Sequence, residues 1–322
     1  VYLKARLPAA RVVNLPDSLP DGWDLADPIP DDISVQGLID AAGDLPRPVP
    51  AQPVPASPNP LDDLHYDPNS GQWWTRNAWG DYAQINGDRV RTLLTENGVS
   101  HVKDQTGSSD LDRELLRRTR DTVIEYAGPL AGHRAGLYGT VLVTRSVVPL
   151  AGTPGDCTRI QTYLYNLLDR NDDQYWRLIF WLALRRQAVL TGTWRSSQAL
   201  ALVGPAACGK SFVQSAIITR LLGGRIAKPY RYMSGATDFN GDLFTSEHLC
   251  IEDEAPGRDI HSRRSLGSHI KSMLFAQNQS CHPKNRQAIT LRPIWAMSIS
   301  LNDEPENLQV LPPLDPSLMD KL

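Results

Sequence analysis

The sequence predicts an α/β fold, and three stretches predict it. An apolar run at residues 198–203 leads into the loop GPAACGKS, residues 204–211, and the loop leads into a helical run closed by Gly223-Gly224. A second apolar run, Leu249-Cys250-Ile251, ends in the acidic triplet Glu252-Asp253-Glu254. A third, starting at Ile294, ends in Asn302. Short runs that are apolar throughout read as strands buried on both faces, the setting of an α/β core.

Composition bounds the rest. The 322 residues leave room for two or three domains. With 21% charged and 41% hydrophobic residues, wholesale disorder and a membrane-embedded class are excluded. The formal charge of −3 selects no partner. Residues 1–60 carry 4 basic and 8 acidic side chains, and the 29 basic and 28 acidic that remain balance, so any nucleic-acid surface must be a local patch. Cys157, Cys208, Cys250 and Cys281 form no CxxC pair, the usage of reduced thiols in a cytoplasmic protein. The apolar stretch at residues 178–184 stops at Arg185-Arg186, far short of the ~20 residues a membrane span needs. A start at Val1 without methionine reads as a piece cut from a longer polypeptide.

From the N-terminus, residues 1–45 are too few for a core of their own, although Val12-Val13 reads as a strand and residues 34–42 as a helix. Residues 46–61 are a semi-rigid linker, because residues 46–60 hold seven of the 25 prolines, each fixing φ and removing an amide donor. Residues 62–191 form a mixed α/β and helical collar. Within it, residues 66–87 alternate aromatic and turn residues as an antiparallel meander does. Trp73, Trp74, Trp79 and Tyr82 read as the filling of that meander, with base stacking as the other reading. Asp88 caps a helix through Leu94, residues 110–127 form another helix, and residues 137–148 form one or two strands. Residues 158–190 form two helices broken at 169–173, and residues 192–322 hold the α/β core.

The loop is an instance of GxxxxGKS, set between strand and helix where that pattern has meaning. Glycines let the backbone curl so that successive N–H groups and the helix start face a β-phosphate. Lys210 neutralises β and γ oxygens and Ser211 ligates magnesium, which makes ATP and Mg²⁺ the expected ligands. Gly204, Pro205, Ala206, Ala207, Cys208, Gly209, Lys210, Ser211 and Phe212 form the expected nucleotide cradle. Asp253 would hold the metal through water and Glu254 would polarise the attacking water, with Glu252 leaving a one-residue ambiguity in register. Asn302 would sense the γ-phosphate or hold that water. This order of strands is the layout of an additional-strand P-loop ATPase of the AAA+ kind.

At these residues a resemblance can be named. GPAACGKS, the pair Asp253-Glu254 and the strand ending SLN resemble motifs A, B and C of superfamily 3 helicases. More narrowly, residues 62–322 resemble the helicase module of phage and prophage primase-helicases, through YDPNSGQWW from Tyr66, FWLALRRQAVLTG from Phe180 and NDEPENLQVLPPLD from Asn302. The resemblance implies an ATP-dependent DNA replication helicase: a ring-shaped motor, usually hexameric, that translocates on single-stranded DNA. Its partners would be single-stranded or forked DNA and further copies of the chain. Residues 12–32 resemble the closing segment of Toprim-type primase domains, so residues 1–45 read as a primase remnant. The resemblance also implies a DNA-touching hairpin between motifs B and C. Residues 269–293 occupy that place, with a helix over 270–276 and a turn at 282–286 that puts Lys284 and Arg286 at its tip.

One departure from the family concerns its arginine finger, which usually follows motif C. Arg292 is the last arginine here, leaving Arg258, Arg263 or Arg264, or Lys321 in part, unless the finger lies beyond Leu322. Two rival classes stand beside the helicase: a DNA packaging or transposition motor, and a non-hydrolysing ATP-gated DNA-binding or assembly module. The presence of both Lys210 and Glu254 argues against the second.

Overall fold

A computed structural model describes residues 11–12, 43–44, 61–121, 124–152, 155–252, 260–284 and 286–308. The chain divides into two units, Val1–Pro50 and Ala51–Leu322. In the first, β1 (Arg11–Val12) runs antiparallel to β2 (Gly43–Asp44), so the expected strand falls one residue early. The helix expected at 34–42 and the prolines of 46–60 lie outside the described residues.

The second unit opens with the expected meander of β3 (Leu64–Asp67), β4 (Gln72–Arg76) and β5 (Tyr82–Ile85), paired antiparallel in that order. Trp73 and Tyr82 are buried and Trp74 is half-buried, whereas Trp79 is 87% exposed in the turn and fills nothing. Helix α1 (Gly87–Glu96) is capped by Asn86, whose side chain accepts the Arg89 N–H, and not by Asp88, which sits in the first turn. Helix α2 (Asp110–Asp121) starts on a capping box, in which the Asp112 N–H donates to Ser109 Oγ and the Ser109 N–H to Asp112 Oδ2.

That helix does not run to residue 127. β6 (Tyr126–Gly128) pairs in parallel with β8 (Val141–Val143), which pairs antiparallel with β7 (Gly136–Tyr138). Ile124 keeps helical spacing in the sequence but is buried with Tyr82, Ala135 and Leu142, a partner set that a continuing α2 is not part of. Helices α3 (Thr158–Leu167) and α4 (Asp172–Thr191) are separated where Asp169 and Arg170 take left-handed φ of 51° and 57°. Asn171 then caps α4 by accepting the Gln174 N–H, and Gly192 ends it at φ 65°.

The core sheet is parallel, in the order β10 (Ile226–Ala227), β11 (His248–Glu252), β14 (Ala296–Asn302), β9 (Leu200–Gly204). β14, the last strand among the described residues, is thus inserted between two earlier ones. After β9 the chain passes through α5 (Lys210–Phe212), a π-helical stretch (Val213–Ile218) and α6 (Thr219–Leu221). A short α7 (Tyr230–Met233) precedes β11. Helix α8 (Ile260–Phe275) begins ten residues before the expected start at Ile270, and its Leu266, Ile270, Met273 and Leu274 are buried at helical spacing. β12 (Gln279–Cys281) and β13 (Ile289–Leu291) form an antiparallel hairpin, and α9 (Pro305–Leu308) follows β14.

Two apolar clusters hold the sheet. One packs Leu249, Ile251, Met297 and Ile299 against Leu266 and Ile270, and includes Tyr126, Leu130 and Val143. The other packs Leu202, Val213 and Ile217 against Leu164, Leu178 and Leu182. Each such buried side chain stabilises the fold by about 1.5–3 kcal/mol relative to exposure, so residues on both sides of position 192 belong to shared cores. Among the described residues no helix is long and apolar enough to cross a membrane.

Candidate functional site

Parallel pairing of β9 with β14 sets Gly204 opposite Asn302 at the carboxyl edge of the sheet. From Gly204 the loop curls, with Ala207 at φ 59° and Gly209 at φ 109°. Only glycine suits the second position, since a Cβ there would lie 2.3 Å from Tyr163 Oη. Tyr163, on α3, donates its hydroxyl to the Gly209 carbonyl at 3.1 Å and packs edge-on against Phe212, centroids 5.5 Å apart. Burial pushes the Tyr163 phenol above its ordinary pKa.

Lys210 is the first residue of α5, yet its side chain folds back beneath the loop and is only 8% exposed. Its Nζ donates to the carbonyls of Gly204 and Pro205, both at 2.7 Å, and to Asn302 Oδ1 at 3.1 Å, with Cys208 Sγ 3.7 Å away. An ammonium has three hydrogens, so these three oxygens satisfy it. Around this group lies a cavity of about 250 Å³, lined by residues 206–212 together with Ser300, Leu301 and Asn302. A buried cation, a curled backbone and an amide side chain facing one small cavity suit an anionic group.

The remaining expected site residues are placed as follows. Ser211 and Phe212 are exposed on the cavity wall. Glu252 ends β11 opposite Ser300, and its carboxylate pairs with Lys228 Nζ at 2.9 Å. Asp253 and Glu254 lie outside the described residues, as do Arg258 and Lys321, while Arg263 and Arg264 sit on α8. Among the described residues no three His, Cys, Asp or Glu side chains gather as a metal cage. Of the two residues expected to hold magnesium, Ser211 is the described one, and its hydroxyl oxygen, on the cavity wall, is of the kind that ion takes. Lys284 and Arg286 are exposed between β12 and β13, apart from the cavity.

Sequence reasoning missed Tyr163, and it missed a buried polar group formed by Gln214, Thr219, His248 and Ser298. Nothing local marks Tyr163. The other group had a signal, since His248 and Ser298 are polar residues inside otherwise apolar strands.

Fold and site together define an α/β protein with a parallel four-stranded sheet and a lysine-centred cavity at the sheet's carboxyl edge. No family model matches the chain, and no curated protein matches it. Solved structures do match. The A form apo structure of the C-terminal region of NrS-1 is 12% identical over 76% of this chain and 54% of that one, at a TM-score of 0.48. A second apo structure of the same region is 13% identical over 75% and 54%, at a TM-score of 0.47. The chain spans about half the length of these NrS-1 chains, and at such values the likeness assigns no residue a role.

Proposed function

We propose that the chain is the helicase part of a primase-helicase, a P-loop ATPase of the AAA+ kind that moves along single-stranded DNA by hydrolysing Mg-ATP. The observation that carries the reading is the meeting of Lys210 with Asn302 across the paired ends of β9 and β14. Such a contact needs the GKS loop and the strand ending in asparagine to be neighbours, and the inserted position of β14 makes them so. In this reading the β- and γ-phosphates take the acceptor positions that the Gly204 and Pro205 carbonyls hold around Lys210 Nζ. Ser211 and Asp253 hold magnesium, Glu254 orients and deprotonates the attacking water, and Asn302 faces the γ-phosphate.

The test is steady-state ATP turnover by the full chain with and without single-stranded DNA, paired with strand displacement on a forked duplex and mass in solution with Mg-ATP. DNA-stimulated turnover, displacement that needs a single-stranded tail and a ring-sized mass support the helicase. Displacement without any need for a tail points to a packaging or transposition motor. ATP binding with no turnover that Glu254→Gln could abolish points to an ATP-gated binding module.

A further inference from the structure

Beneath the helix that follows the loop lies a closed circuit of hydrogen bonds that none of the roles above uses. Gln214 Nε2 donates to Ser298 Oγ at 2.8 Å, and Ser298 Oγ lies 2.7 Å from His248 Nε2. His248 Nδ1 lies 2.7 Å from Thr219 Oγ1, which donates to the Gln214 carbonyl at 2.8 Å. Four residues, two on consecutive helical stretches and two on neighbouring strands, thus return to their starting point, and all four are buried.

Counting protons fixes the direction of the circuit. Thr219 has one hydroxyl hydrogen and gives it to the Gln214 carbonyl, so His248 must donate to Thr219 from a protonated Nδ1. A neutral imidazole carries one N–H, which leaves Nε2 as the acceptor of the Ser298 hydroxyl. Ser298 in turn accepts from Gln214. Each bond of the circuit then has its own hydrogen and all run in one rotational sense, the arrangement in which neighbouring bonds polarise and strengthen one another. His248 is held neutral, its pKa pushed down to about 4 by burial.

The circuit also accounts for the π-helical stretch. The Gln214 carbonyl receives both the Thr219 N–H and the Thr219 hydroxyl, and that i,i+5 pairing is the π turn itself. A second bond from Gln214 Nε2, at 3.3 Å, reaches the Ile251 carbonyl, one residue before Glu252. Gln214 Oε1 is buried with no partner among the described residues, a cost that an apolar side chain would avoid. The four polar groups therefore orient one element against another at some expense of stability.

We propose that Gln214, Thr219, His248 and Ser298 are positioning residues, which fix the helix carrying Lys210 and Ser211 against the two strands whose ends carry the acidic triplet and Asn302. This rests on the nucleotide-site reading above. Phosphate binding belongs to the loop, whereas turnover needs the loop and both strand ends aligned, so loosening the circuit lowers kcat and spares KM.

The test uses the full chain and two readouts. One-bond ¹⁵N–¹H correlation of the histidine rings near pH 7 is expected to show His248 as the Nδ1–H tautomer, with or without nucleotide. Thr219→Val, which keeps shape and removes the hydroxyl, is expected to lower kcat for ATP about tenfold with KM within about threefold, and Thr219→Ser to restore most of it. Ser298→Ala opens the opposite side of the circuit and is expected to act alike, which keeps the test decisive if Thr219→Val does not fold. An Nε2–H tautomer in the parent chain overturns the proposal, as does either variant turning over ATP at the parent rate or losing only KM. A parent chain that shows the Nδ1–H tautomer but binds no ATP overturns the nucleotide reading, and the positioning role with it.

Discussion

Lys210 and Asn302 touch through a 3.1 Å hydrogen bond although 92 positions separate them in the chain. Their meeting follows from one register, Gly204 opposite Asn302, which exists because β14 enters the sheet beside β9 instead of at an edge. A slip of one residue in that pairing would turn the Asn302 side chain to the other face of the sheet and away from the lysine. The contact therefore reports the whole core as well as the site.

Removing either partner is expected to separate binding from turnover. Lys210→Ala takes away the one cation on the cavity wall among the described residues, and binding of a non-hydrolysable ATP analogue should fall below detection in a fluorescence titration. Asn302→Ala leaves that cation in place, so analogue affinity should change by less than about threefold while turnover falls about 10²-fold. Equal losses of binding in both variants would contradict the assigned division of labour.

Gly209 is held by two constraints that a pair of variants can pull apart. Alanine there must adopt φ near 109° and must also push its Cβ into Tyr163 Oη. Gly209→Ala should destabilise the protein by about 1–3 kcal/mol in urea unfolding. Tyr163→Ala in the same chain removes the collision but not the backbone strain, so the double variant should recover part of the loss relative to the sum of the two singles. Strict additivity would mean that the tyrosine does not limit the loop.

The core was legible where its signals were local. An apolar run broken by Gly204, by Glu252 or by Asn302 states both a strand and its end, and the helix stop at Gly223 is equally local. Signals that depend on distant partners misled. Ile124 is spaced as a helical residue but is buried against Tyr82 and Leu142, so the predicted helix ran too far. One misreading was local: Asn86 and Asp88 are both competent caps, and only the bond to the Arg89 N–H separates them. At the site, the sequence named the loop and Asn302 but not Tyr163, whose approach to Gly209 is made by a helix 46 positions away. His248 and Ser298 were visible as polar residues in apolar strands, yet only the folded arrangement shows that they face one another.

Buried His248 gives the fold an acid limit with a definite sign. Its folded pKa, lowered to about 4 by burial, lies below the ordinary 6.5 of the unfolded chain. Above pH 6.5 the ring is neutral in both states and its contribution to stability is fully present. Between 6.5 and 4 the unfolded chain binds a proton that the folded chain does not, so unfolding free energy falls as pH falls, by about 3 kcal/mol over the window. His133 and His65 are shifted down by burial too and act in the same sense. The thiol of Cys250, two residues along β11 from His248, is pushed up to about 12 by burial and does not titrate in this window. Urea midpoints at pH 7, 5.5 and 4.5 should decline in order, and His248→Gln should flatten the decline. A parent midpoint that holds constant to pH 4.5 would contradict a buried neutral ring.

The hairpin tip offers the last separation, between phosphate contact and base reading. Lys284 and Arg286 are exposed, and the turn that carries them is pinned to the core: the His282 N–H donates to Asn240 Oδ1 at 2.6 Å, and the Asn240 N–H donates to the His282 carbonyl at 3.2 Å. Cations that meet a phosphate backbone bind every sequence alike while displacing counterions. On single-stranded DNA each lost contact should lower the steepness of log K against log salt by about 0.7. Lys284→Ala and Arg286→Ala should each show that change in anisotropy titrations between 50 and 200 mM salt, with equal weakening for homopolymer and mixed oligonucleotides. Weakening confined to one base composition would make the tip a reader of bases, and parent-like affinity at every salt concentration would place the DNA surface elsewhere on the chain.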